Sequence, residues 1–147
     1  MSTPLKFRTA LLRSARLISE QVNQLLLPHQ LNYSLWQVLY VIQEKQCCTS
    51  VEVAQYLNIS KPAIAKRMAI LHQLNLLCHL DSQDKREKKV SLSAIGYDLF
   101  QRCAAEIDAL EHALLLDLDA EQLKQSLDVL QTLVQRLEAP QQGGKDV

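Results

Sequence analysis

Six consecutive residues, Asp84-Lys85-Arg86-Glu87-Lys88-Lys89, place four cations in one short segment. Lysine and arginine at that density neutralise phosphate, and arginine adds a planar fork that engages two acceptors at once. Asp84 stands two residues from Arg86, near enough to hold the guanidinium in one pose through a bidentate pair. In isolation such a pair is a weak surface ion pair. A second basic set, Lys61, Lys66 and Arg67, follows Ser60, Pro62 and Ala63 along one run. Between Asn58 and Lys89 seven bases face three acids, a net +4, although the 147-residue chain is neutral overall with 16 of each sign. From Tyr97 to Glu138 nine acids face three bases, a net −6. The middle suits a polyanion and the end does not.

The elements that must carry these residues read as helices. Apolar residues make up 48% of the chain and only three glycines occur, which favours a helical fold with one sizeable core over a turn-rich β fold. Leu12, Ala15, Ile18 (or Leu17), Val22, Leu25 and Leu26 recur at helical spacing in a helix expected from Leu5 to Leu27 and stopped by Pro28. A second helix is expected over Ser34–Glu44, opened by a capping box of Ser34 with Gln37. Thr49 with Glu52 makes another capping box for a short helix, Ser50–Leu57, and Asn58 tolerates the left-handed conformation that ends it. Ser60 is the N-cap of the next helix, with Pro62 in its first turn and Ile64, Met68, Leu71 and Leu74 inward.

Two capped helices separated by about three residues form the pattern of a helix-turn-helix. Leu77–Asp81 and Lys89–Ser93 then read as two short strands around the charged loop, a β-hairpin that becomes a wing. Ser93 caps a long helix to about Leu118, with Leu99, Cys103, Ile107, Leu110 and Leu114 in one stripe. Asp119 with Gln122 opens a last helix carrying Leu123, Leu127, Leu130, Val134 and Leu137, and residues 140–147 read as a loose tail.

The second helix of a helix-turn-helix presents its N-terminal residues to base edges in the major groove. Here those are Ser60, Lys61, Pro62, Ala63, Lys66 and Arg67, with Ser60 and the cations suited to phosphate and Ala63 to a thymine methyl. A hairpin tip carrying Asp84, Lys85, Arg86 and Lys88 is narrow enough for the minor groove, whose negative potential attracts arginine. The same helix face alone also reads as a solvated surface; helix, loop and charge together favour double-stranded DNA as partner. The terminal helices carry more apolar surface than a thin domain of this size needs, and a two-fold homodimer would cover it.

Other chemistries lack their signatures. No glycine-rich phosphate loop, nucleophile elbow or plausible carboxylate pair is present, so an enzyme is not expected, nor a cofactor. His29, His72, His79 and His112 are scattered without metal-ligand spacing, so no metal site is expected. No apolar run reaches the length of a membrane span and Met1–Thr9 has no apolar core of a signal peptide, so the expected location is the cytoplasm. Cys47, Cys48, Cys78 and Cys103 read as structural thiols; the adjacent Cys47 and Cys48, just before the helix-turn-helix, are the better-placed candidates for a redox switch.

At this point the chain resembles the MarR family of bacterial regulators over nearly its whole length. Leu31 with Leu35-Trp36-Gln37-Val38-Leu39 is similar to the family's second helix. Glu52 through Ser60 is similar to its first helix-turn-helix helix and turn, and Asp84-Lys85-Arg86 through Leu92-Ser93-Ala94-Ile95-Gly96 to its wing and the start of its long helix. The resemblance implies a mainly α, winged helix-turn-helix dimer with a small β-hairpin wing. One domain spans 1–147, with a DNA-binding lobe at about 34–93 and dimerisation helices at about 5–28 and 94–138. It implies a repressor on pseudopalindromic promoter DNA that a small aromatic ligand releases. By position Arg86 would be the minor-groove arginine, Asp84 its orienting partner and Lys66 a basic DNA contact. Ala69-Ile70 stands where the family often has an Asp-Arg pair, so that contact is not carried over. The family's effector cleft would here be lined by Arg16, Tyr33 and Trp36, with Arg16 pairing a carboxylate and Trp36 stacking on a ring. The same residues also read as a surface charge and a core aromatic. A thiol-based redox regulator and a winged helix that docks a protein stand as alternatives.

Overall fold

The computed structural model describes residues 6–80 and 88–139. Asp84, Lys85 and Arg86 therefore lie outside the described residues, as does the 140–147 tail. The order of elements is α1 (Phe7–Leu26), a 3-10 turn (Leu27–His29), α2 (Tyr33–Lys45), α3 (Ser50–Leu57), α4 (Lys61–Gln73), β1 (Leu77–His79), β2 (Val90–Leu92), α5 (Ala94–Leu115) and α6 (Ala120–Glu138). The chain divides into two compact units at Leu110 and Glu111. This is the mainly helical winged helix-turn-helix architecture that the residue pattern implies.

Helix α2 is the centre of the first unit. Leu35, Trp36, Val38, Leu39, Val41 and Ile42 are all buried, so the helix is apolar nearly all round and packs against α1, α3, α4 and β2. Its start differs from the expected Ser34 cap. Asn32 has the extended backbone of an N-cap, and its Oδ1 accepts from Leu35 N at 2.8 Å. The Tyr33 N–H donates to Asn23 Oδ1 of α1 at 2.9 Å, which satisfies a second first-turn donor. Ser34 and Gln37 are left for other partners. Pro28 does not simply halt α1; it enters the first turn of the 3-10 segment, where a missing N–H leaves nothing unpaired.

The strands pair antiparallel with Leu77 opposite Leu92, Cys78 opposite Ser91 and His79 opposite Val90. A third chain segment joins them. Cys48 forms a bridge to Val90, with N–H to O distances of 3.1 and 2.9 Å in the two directions. Cys48 is fully buried there, and burial pushes its thiol up to about 11. A switch cysteine needs an exposed, easily ionised thiol. Cys48 therefore does not meet the requirement of the redox reading, and Cys103, likewise buried with a raised pKa, does not either.

Helix α5 starts where three segments converge. Ser93 Oγ accepts from Gly96 N at 3.0 Å and donates to the Asn75 carbonyl at 2.7 Å, while Ser93 N donates to the Leu76 carbonyl at 2.9 Å. A Cβ on Gly96 would lie 2.1 Å from that same Leu76 oxygen. The backbone approach thus admits only glycine. Down the helix Phe100 and Cys103 are buried, with Leu99, Ile107 and Leu110 partly buried against the core. The helix ends at Leu115, short of the expected Leu118, and Asp117 takes a left-handed φ of 70° before Asp119 caps α6 through Glu121 N. Helix α6 buries none of its residues.

Two outcomes are expected. Gly96→Ala lowers stability by about 1–3 kcal/mol, the usual cost of overpacking, read as a reduced urea midpoint with an unchanged slope. A thiol reagent at neutral pH labels exposed Cys78 and leaves Cys48 and Cys103 unmodified until the chain unfolds. Because the Cys48 thiol keeps its proton longer when folded, its contribution to stability is whole below its ordinary 9.0 and is lost as pH rises toward about 11. Alkaline unfolding over that window checks the sign.

Candidate nucleic-acid interface and adjoining cavity

The turn between α3 and α4 follows from three side chains. Thr49 and Glu52 form the complete capping box at the start of α3, with Glu52 N donating to Thr49 Oγ1 at 3.2 Å and Thr49 N donating to Glu52 Oε1 at 3.3 Å. Asn58 ends α3 in the left-handed region, at φ 54° and ψ 48°. Ile59 packs partly into the core, and Ser60 Oγ accepts from Ala63 N at 3.4 Å to begin α4. Ile64, Met68 and Leu71 then bury one face, which turns Ser60, Lys61, Pro62 and Lys66 to solvent and leaves Ala63 half-buried. Lys88 is exposed just before β2. The structure thus leaves Ser60, Lys61, Pro62 and Lys66 exposed along the N-terminal half of α4.

Arg67 differs from that group. It is half-buried, and its Nη1 donates to the Ser34 carbonyl and to Gln37 Oε1, each at 3.3 Å. It ties α4 to α2. The far end of α4 is held to the hairpin by a stack of His72 on His79, 4.6 Å between centroids and 13° between planes. Burial, then the neighbouring His79, holds the His72 pKa below its ordinary value.

A cavity of about 500 Å³ opens between α1, α2, α3 and α5. Tyr33 and Trp36 line it, as the residue reading proposed. Arg16 does not. Its guanidinium points outward beside Glu20 at 3.7 Å, with 82% of the side chain exposed, because the i, i+4 pairing on the solvent face of α1 keeps both charges hydrated. Trp36 is already stacked on Phe100, 4.8 Å apart and 8° from parallel. The residue reading missed Gln37, Tyr40 and Tyr56 in the lining. Tyr40 lies seven residues beyond Tyr33, two turns along the same helix, a spacing legible in the sequence; Tyr56 comes from α3 and needed the fold. Gln37 touches both the cavity and, through Arg67, helix α4. Among the described residues no helix is long and apolar enough to cross a membrane, and no group of three metal-binding side chains gathers.

No protein-family model matches the sequence. The chain is 30% identical over 105 residues to YwoH, an HTH-type transcriptional regulator of Bacillus subtilis, covering 71% of this chain and 77% of that protein. The fold is that of MarR from Staphylococcus aureus in complex with salicylate and kanamycin, with a TM-score of 0.81 at 22% identity over 89% of each chain. Apo MarR from E. coli superimposes with a TM-score of 0.77 at 19% identity, over 90% of this chain and 98% of that one. The extended identity to a helix-turn-helix regulator, the α3–turn–α4 unit and the hairpin behind it place the chain among the HTH-type, DNA-binding transcriptional regulators, on the winged helix-turn-helix fold of MarR.

Proposed function

We propose that the chain is a homodimeric repressor that reads a pseudopalindromic promoter site with α4 and the hairpin and releases it when a small aromatic compound enters the α1–α2–α3–α5 cavity. The observation that carries this reading is the exposed, capped N-terminal end of α4, with Ser60, Lys61, Pro62 and Lys66 outward and Ile64, Met68 and Leu71 seated in the core. Lys61 and Lys66 neutralise phosphate or reach a guanine edge, and the Ser60 hydroxyl, whose oxygen already caps Ala63, donates to a phosphate. Ala63 offers its methyl to thymine. Lys85, Arg86 and Lys88 serve the minor groove, with Asp84 orienting Arg86. Arg67 contributes by positioning: its link to Gln37 fixes α4 on α2 and gives a cavity occupant that engages Gln37 a route to the DNA-facing helix.

The terminal helices support the dimer. Phe7, Leu12 and Leu17 of α1 and Leu127, Val134 and Leu137 of α6 are about half exposed or more, the last at 79%. Apolar faces of that extent on monomers mark interaction surfaces. The acidic C-terminal stretch, net −6, suits an interface away from phosphate.

Fluorescence anisotropy on DNA from upstream of the protein's own gene tests the reading, across a salt series and against random DNA. Selective binding that weakens steeply with salt is expected. Arg86→Ala is expected to cost about 1–3 kcal/mol of specific binding, and Lys66→Ala to weaken all sequences evenly and flatten the salt slope by about one. Equal, weak binding to both DNAs would favour a winged helix that docks a protein. In sedimentation equilibrium, a Leu127→Glu/Val134→Glu double variant is expected to shift a dimer toward monomer; an unchanged mass would remove α6 from the interface.

A further inference from the structure

The cavity walls come from Ala15, Ile18, Ser19 and Val22 of α1, Tyr33, Trp36, Gln37 and Tyr40 of α2, Tyr56 and Leu57 of α3, and Ile107 of α5. Every polar group among these described residues is a hydroxyl, an amide or the indole N–H; no side chain is charged at neutral pH. The one cation proposed for the site from the sequence, Arg16, is turned to solvent and paired with Glu20. At the lip, Glu44 lies beside Tyr40 and raises its pKa, after the larger effect of burial. Lys45 Nζ sits over the ring of Tyr56, 6.0 Å from its centroid. Neither of these two charges is among the lining residues. Aromatic rings, a carboxamide and hydroxyls are the equipment for a flat ring bearing a neutral donor or acceptor. A carboxylate entering the same space would leave water without meeting a cation in the lining, and Arg67, behind Gln37, is already engaged by Gln37 Oε1 and the Ser34 carbonyl, so the exchange is unfavourable.

We propose that this cavity takes an uncharged aromatic compound with a hydrogen-bonding substituent and discriminates against aromatic carboxylates. The proposal rests on the reading that the cavity is the effector site. Gln37 is the group to which a neutral amide or phenol would bond, since its carboxamide both accepts and donates, and only its Oε1 is engaged with Arg67.

A charge series of one shape tests it. Benzoate, benzamide and benzamidine carry −1, 0 and +1 on the same ring, and each is titrated into the full-length protein at pH 7. Trp36 is the only tryptophan and lines the cavity, so its emission reports occupancy. Salicylate against salicylamide repeats the comparison by calorimetry. Benzamide and salicylamide are expected to bind at least about tenfold tighter than their carboxylates. Ile18→Arg, on the half-exposed wall of α1, is expected to reverse the order toward benzoate. Benzoate binding as well as benzamide, or benzamidine binding tightest, overturns the proposal. Ala15→Phe narrows the cavity and is expected to abolish binding of the amides; amide binding that survives it places their site elsewhere and also overturns the proposal. Failure of all three benzene probes, with Trp36 emission unmoved, overturns the effector-site reading beneath it.

Discussion

The Leu76 carbonyl is the point on which the first unit depends. It accepts from Ser93 N at 2.9 Å, and the first turn of α5 approaches it so closely that Gly96 has no room for a Cβ. Through Ser93 the same junction reaches the Asn75 carbonyl, two residues past the end of α4, and caps α5 at Gly96 N. The end of α4, the base of both strands and the start of the long helix therefore share one small set of backbone groups. A buried backbone carbonyl is costly to leave unpaired. The hairpin consequently has little freedom to tilt without disturbing α4 and α5 together.

Helix α4 is gripped on its other sides as well. The Asn58 turn joins it to α3, Arg67 bonds it to α2, and His72 stacks it on β1 through His79. Such a helix presents its exposed residues in a fixed pose, which is what reading base edges demands, since side chains held in place lose less entropy on binding. The same rigidity makes any shift of α2 a shift of α4. Gln37 stands where that matters, between the cavity and Arg67. A cavity and a helix that share one carboxamide have a physical means of coupling, because the group cannot hold two geometries at once.

Charge and apolar surface are divided along the chain in a way that matches this arrangement. Bases gather between Asn58 and Lys89 and acids after Tyr97. The exposed leucines and valines of α6 and the exposed apolar residues of α1 lie outside the basic stretch. Neutrality overall is thus compatible with strong local charge.

Much of this was legible in the residues alone, for local reasons. The Thr49–Glu52 box, the left-handed Asn58, the Ser60 cap and the inward Ile64, Met68 and Leu71 are short-range signals, and all appear in the structure where the spacing put them. Capping and helical periodicity act within a turn or two, so sequence determines them. What tertiary structure decided is longer in range. Asn32 replaced Ser34 as the cap of α2 with help from Asn23 on another helix, and Cys48 was drawn into the sheet edge by Val90, which removed it from solvent. Arg16 and Arg67 exchanged environments relative to expectation: the one meant for the cavity faces water beside Glu20, and the one meant for DNA spans 30 residues to Gln37. A long cationic side chain has many rotamers and settles wherever distant acceptors converge. Its charge is written in the sequence, but its partner is known only once the fold has assembled.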